Sequence, residues 1–100
     1  MIIVLATARL GEGAFEQGFA AMEAMIKASN AEPGCISYAY ARDVLDPAVL
    51  HIVEKWDDDA ALAAHFSMPH MAQFRQALAR LDISIAEVRK FATDHGQPLG

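Results

Sequence analysis

The chain is 100 residues long, 54% hydrophobic, and carries 13 acidic against 8 basic side chains, for a net charge of −5. That length makes one domain. The acidic balance, with no basic cluster to offset it, excludes a nucleic-acid backbone as partner, and no apolar run approaches the roughly 20 residues that a membrane helix needs.

A monomer of this size has little interior for its surface. So much apolar material therefore implies a second buried surface, most simply between subunits. The single cysteine, Cys35, excludes an internal disulfide framework and fits a reducing, cytoplasmic setting. The N-terminal MIIVLATAR has no basic residue ahead of its apolar run, unlike a secretory signal.

Ile2 to Arg9 is rich in β-branched and aliphatic residues and is predicted as a strand. Beyond Gly11 and Gly13, the residues Phe15, Phe19, Met22 and Ile26 recur at helical spacing and predict the inward face of a helix. That helix ends before Pro33, because proline disfavours helical geometry at Glu32. Pro33-Gly34 is a turn. Cys35 to Arg42 is the second strand. Alternation puts Ile36, Tyr38, Tyr40 and Arg42 on one side, and Cys35, Ser37, Ala39 and Ala41 on the other.

A hairpin loop from Asp43 to Pro47 leads to the third strand, Ala48 to Trp56, with Leu50, Ile52, Glu54 and Trp56 on one side. Asp57 is expected to cap a short helix over Ala60 to Phe66, with Asp58 and Asp59 favourable near its positive end. Ser67-Met68-Pro69 breaks that helix, and Met71, Phe74, Leu78 and Leu81 then line one face of another. Asp82 to Thr93 is the last strand, with Ile83, Ile85 and Phe91 on one side. The domain spans 1–94, and residues 95–100 form a tail.

The order β-α-β-β-α-β, its second helical segment split, is the ferredoxin-like α+β arrangement: a four-stranded antiparallel sheet with helices on one face. The strands nevertheless carry apolar residues on both sides, Ile2 and Val4 against Ile3 and Leu5. A half-exposed sheet alternates more cleanly, so the open face is expected to pack on a second copy.

Glu32-x-Gly34-Cys35-x-x-Tyr38, Glu54-x-Trp56-Asp57, Ala61-Leu62-x-x-His65, Pro69-His70 and Phe74 follow one another in that order. The set resembles the antibiotic biosynthesis monooxygenase family over nearly the whole chain, most strongly from Glu32 to Phe74. The resemblance implies a dimeric α+β barrel of two sheets packed face to face. It also implies relatives that oxidise quinols and other phenolic rings without flavin or metal, beside others that degrade haem or process small signalling molecules. Alignment with the haem-degrading members puts Arg75 at their axial-histidine position and His65 where they carry an aromatic. Their first-strand asparagine falls at Thr7 or Ala8. An arginine cannot ligate the iron, so the haem reading is demoted, although His70 could in principle ligate in another register.

His65 has two readings: a general base for a phenolic proton, since imidazole titrates near neutrality, or a buried histidine that orients the helix junction. His70 joins it in one cavity if the break at Ser67 to Pro69 turns it inward, and is otherwise a partly exposed helix residue. Trp56 is a pocket wall for a flat ring or plain core. Glu54 needs a partner on an apolar strand; Arg42, Arg9 or Arg89 is expected to supply it in a structural ion pair. Tyr38 and Tyr40 are hydrogen-bond donors to a substrate oxygen or cross-strand packing. Phe66, Met71 and Phe74 are core or the apolar wall of a pocket. Asp57 to Asp59 read as capping rather than metal ligands, and Cys35 as a structural thiol.

Neither a zinc-protease HExxH, a CxxC pair, a phosphate-binding glycine loop nor a dinucleotide fingerprint is present. The expected function is a cofactor-independent, metal-free monooxygenase that oxidises a small quinol or polyphenol with dioxygen. His65 or His70 would serve as base, and Tyr38, Trp56, Phe66, Met71 and Phe74 would line the site. A non-catalytic binder of small aromatic molecules and an isomerase of a signalling metabolite are the alternatives.

Overall fold

The computed structural model describes residues 1–100. Its elements are β1 (Ile2–Leu10), α1 (Ala14–Asn30), β2 (Cys35–Arg42), β3 (Val49–Trp56), α2 (Asp59–Phe66), α3 (Pro69–Leu78) and β4 (Ile83–Ala92). The strands form one antiparallel sheet in the order β2-β3-β1-β4, the ferredoxin-like order expected. No helix is long and apolar enough to cross a membrane. The residues after Ala92 adopt no helix or strand.

The helices cover the sheet face that carries Ile2, Val4, Ala6, Ala8, Leu50, Ile52 and Trp56, all buried. The opposite face keeps Leu5 45% and Phe91 46% exposed. Helix α1 is rotated from its expected face. It buries Ala14, Gly18, Met22, Met25 and Ser29, while Phe19 stands half exposed. Small residues form the line of closest approach, and a Cβ at Gly18 would lie 3.0 Å from Leu81 Cδ1. The larger rings Phe15 and Phe19 therefore sit at the flank, where the Arg42 guanidinium lies 4.2 Å from the centre of the Phe15 ring.

Two bulges correct the expected strand faces. In β2 the register shifts between Cys35 and Ser37, so Cys35 pairs with Trp56 and Tyr38 with Glu54. Cys35 thus joins the helix side, against alternation, and burial pushes its thiol up to about 11. In β4 the shift falls beside the pairs Thr7–Glu87 and Ala8–Ile85. One extra residue restores the phase, so Ile85 and Val88 share the helix side while Phe91 pairs with Ile3 on the open face. At the start of α2, Asp58 rather than Asp57 is the cap: its Oδ1 accepts the Ala61 amide at 2.8 Å.

The turn between α1 and β2 fixes the site. The Cys35 amide donates to the Glu32 carbonyl at 3.2 Å, with Pro33 and Gly34 between them and Gly34 at φ 81°. The Gly34 carbonyl then accepts the Asp57 amide at 2.8 Å, which ties this turn to the start of α2. A Cβ on Gly34 would meet Ala61 Cβ at 2.6 Å. Gly34→Ala therefore adds a backbone conformation that L-residues disfavour to a clash with α2. It is expected to lower unfolding free energy by about 1–3 kcal/mol, read as a shifted urea midpoint at constant slope.

Candidate functional site

Between the sheet and the α2–α3 pair lies a chamber of about 280 Å³. Its size is at the small end for ligand pockets and suits one or two rings. Tyr38, Tyr40 and Glu54 line it from the sheet, and Phe66, Met71 and Phe74 from the helices. Arg75, Ile85 and Val88 also line it. Both apolar β4 side chains are more than half exposed, as the β4 bulge directs them to this side.

Glu54 is the one carboxylate on that wall. Burial raises its pKa above the usual carboxylate range; a hydrogen bond from Trp56 and the nearby His65 partly oppose this, while Glu32 adds to it. The partner expected for Glu54 was an arginine. It is instead Trp56, whose Nε1–H donates to Glu54 Oε1 at 3.0 Å. Glu54 and Trp56 are two apart on one strand and point to the same side, so the indole can reach back to the carboxylate. Beside them the Tyr38 and Tyr40 hydroxyls are 2.9 Å apart. Burial raises both phenols, Tyr40 to about 12 and Tyr38 further, so both are neutral hydrogen-bonding groups at neutral pH. Asn30, at the end of α1, holds Tyr38 in place: its Oδ1 accepts the Tyr38 amide and its Nδ2 donates to the Tyr38 carbonyl.

The two histidines converge on one carboxylate rather than in the chamber. His65 Nδ1 lies 2.6 Å and His70 Nε2 2.7 Å from the same atom, Glu32 Oε2. A carboxylate only accepts, so each of these ring nitrogens carries the proton and donates it. In the neutral ring this fixes the tautomer and leaves His65 Nε2 with a free lone pair. His65 and Glu32 are buried, and the His70 side chain is 20% exposed. The break after α2 makes the meeting possible. Met68 donates its amide to the His65 carbonyl, Pro69 opens α3, and His70 falls in the first turn facing α1. The Glu32 Oε1 atom is buried without a partner.

Of the residues singled out from the sequence, Tyr38, Phe66, Met71 and Phe74 line the chamber. Trp56 is fully buried in the core beneath it. His65 stands one ring back, its centre 4.7 Å from that of Trp56 and 5.6 Å from that of Tyr38. His70 opens instead on a cleft between α1 and α3, lined by Ala21, Ala24, Met25, Ala28, Gln73 and Phe74. Glu32 carried no role in the sequence reading and Glu54 only a structural one. A carboxylate just before a Pro-Gly turn, and one among apolar strand residues, were the available signals. A third hollow, at the flank of α1, is lined by Phe15, Phe19 and Met22 with the surface groups Glu23, Lys27 and Arg42. It holds no buried titratable group, and the chamber is the stronger site.

The sequence profile of the antibiotic biosynthesis monooxygenase family matches residues 1–77, and the chain belongs to that family. It is 29% identical over 98 residues to the uncharacterized protein sll1783 of Synechocystis, which covers 98% of this chain and 67% of that protein. The fold matches Rv0793 of Mycobacterium tuberculosis with a TM-score of 0.82 at 28% identity, over 97% of this chain and 98% of that one. It also matches a proposed antibiotic biosynthesis monooxygenase of Deinococcus radiodurans with a TM-score of 0.90. That match is at 21% identity, over 100% and 99% of the two chains, and at this identity the likeness speaks for the fold.

Proposed function

We propose that the protein is a cytoplasmic, cofactor-independent monooxygenase that oxidises a small quinol or polyphenol with dioxygen. The observation that carries this reading is a half-buried carboxylate, Glu54, on the wall of a largely apolar chamber with two phenols beside it. A base works best when its pKa approaches the working pH, and burial moves Glu54 in that direction.

In the proposed reaction the ring lies between Phe66, Met71 and Phe74, and Tyr38 or Tyr40 donates to a ring oxygen. Glu54 takes the phenolic proton. The resulting anion gives one electron to dioxygen, and superoxide and the aryl radical combine at a ring carbon that bears hydrogen. The hydroperoxide loses water to leave a carbonyl. One oxygen atom ends in the quinone and the other in water. The substrate supplies all four electrons, so no external reductant enters. The proton on Glu54 passes to His65, whose Nε2 is free in the tautomer set by Glu32, and His70 is the end of this chain open to solvent.

An oxygen electrode with a panel of quinols tests the reading. One dioxygen consumed per quinone formed, with no flavin, haem or metal added, is the expected result. Binding without oxygen uptake would make the protein a carrier, and anaerobic turnover would make it an isomerase. Either outcome overturns the proposal.

The exposed apolar face is proposed to pair with that of a second copy. Leu5 lies on it opposite Val53 and beside Arg89. Leu5→Arg puts an unpaired charge into that contact. It should elute as a monomer in gel filtration at concentrations where the parent elutes as a dimer.

A further inference from the structure

We propose that Glu32, His65 and His70 form a binding site for a divalent transition metal of the zinc and cobalt type. His65 Nδ1, His70 Nε2 and a Glu32 oxygen would be its three protein ligands. These donor atoms lie within 4.8 Å of one another. Two imidazoles and one carboxylate are a three-ligand set such ions accept, with a further position left for water.

A second observation points the same way. Glu32 Oε1 is buried and unpartnered while Oε2 takes both imidazole protons. A buried carboxylate oxygen without a donor is unfavourable, and a cation held by both carboxylate oxygens would satisfy it. The present contacts of 2.6 and 2.7 Å are those of hydrogen bonds. Ligands about 2.0–2.2 Å from an ion stand roughly 3–3.5 Å apart, so the rings need to withdraw by about half an ångström. His70, in the first turn of α3 and 20% exposed, has room for this movement. The α1–α3 cleft beside it, about 220 Å³ and lined by three alanines together with Met25, Gln73 and Phe74, is the way in.

A ring nitrogen binds metal only through a lone pair, so ligation through Nδ1 would shift the one hydrogen of the neutral His65 ring from Nδ1 to Nε2, which turns from acceptor to donor. Metal loading and the proton path proposed above therefore exclude each other. The affinity for metal does not depend on whether the chamber oxidises quinols.

The test is a cobalt(II) titration of the full chain after chelator treatment, followed by visible absorption. One equivalent of Co²⁺ displaceable by Zn²⁺ is expected. His70→Ala and Glu32→Gln should each weaken it at least tenfold, and His51→Ala, which alters the surface pair with Asp43, should leave it unchanged. If the first two variants fail to fold, the parent protein still decides. Co²⁺ should shift the imidazole resonances of His65 and His70 and spare those of His51 and His95. Absence of saturable binding, binding undiminished in a folded His70→Ala, or resonance shifts confined to His51 or His95 would each overturn the site. Loss of quinol turnover on loading bears only on the reaction.

Discussion

Glu54→Gln is expected to lower the turnover of the proposed oxidation by about 10²–10⁴-fold, the usual contribution of a positioned base, while the protein stays folded. Glutamine keeps a carbonyl oxygen where Glu54 Oε1 accepts from Trp56. It removes only the charge whose burial is unfavourable. Because the folded-state pKa of Glu54 is raised, the folded protein holds this proton more tightly than the unfolded chain. Its contribution to stability therefore declines as pH rises from the ordinary carboxylate pKa through the raised one. At neutral pH Glu54→Gln should be at least as stable as the parent, and catalysis and folding should move in opposite directions. In the parent, turnover should fall as pH drops through the raised pKa, because the base must be ionised to act. A variant that keeps parental oxygen uptake would remove Glu54 from the mechanism. His65→Ala, which cuts the path behind Glu54, is expected to lose at least tenfold while the protein stays folded.

Glu32→Ala is the change with the largest expected effect on folding. It removes the one acceptor of two imidazole N–H groups, that of His65 being fully buried. Each orphaned donor costs about 1–3 kcal/mol, so a loss of roughly 2–5 kcal/mol is expected in urea unfolding. The loss should be largely non-additive with His65→Phe, which removes one of the two orphaned donors. Equal losses for Glu32→Ala in the parent and in His65→Phe would show that the buried hydrogen bond contributes nothing. Glu32→Gln, which keeps an acceptor, should fall between parent and alanine and fits the separate use made of it in the metal titration.

Much of this was legible along the chain, for reasons of local geometry. The element order follows from the β-branched and aliphatic run at Ile2, the strand alternation from Cys35, helical spacing after Gly13, and turn chemistry at Pro33-Gly34. Of the lining expected from the sequence, Tyr38, Phe66, Met71 and Phe74 border the chamber, while Trp56 lies in the core beneath it. The errors arose where one residue breaks the period. The bulge in β4 moves Val88 to the chamber and Phe91 to the open face, and the bulge in β2 turns Cys35 inward. A one-residue shift reverses every side downstream, and nothing in the residue types announces it. The inward line of α1 was likewise decided by which small residues the sheet and Leu81 could approach, not by the largest apolar ones.

The sequence by itself determined the fold and the stock of groups: two imidazoles flanking a helix break, a carboxylate among apolar strand residues, and a carboxylate before a turn. Only the tertiary structure decided how they combine. Glu32 meets histidines 33 and 38 residues away because a turn that only glycine can make docks against Ala61. Glu54 is left to the indole two residues away because the packing pairs Arg9 with Asp46, Arg42 with Glu16 and Arg89 with Glu87. Backbone periodicity sets the direction of a side chain within a few residues, but which acid meets which base depends on how distant elements pack.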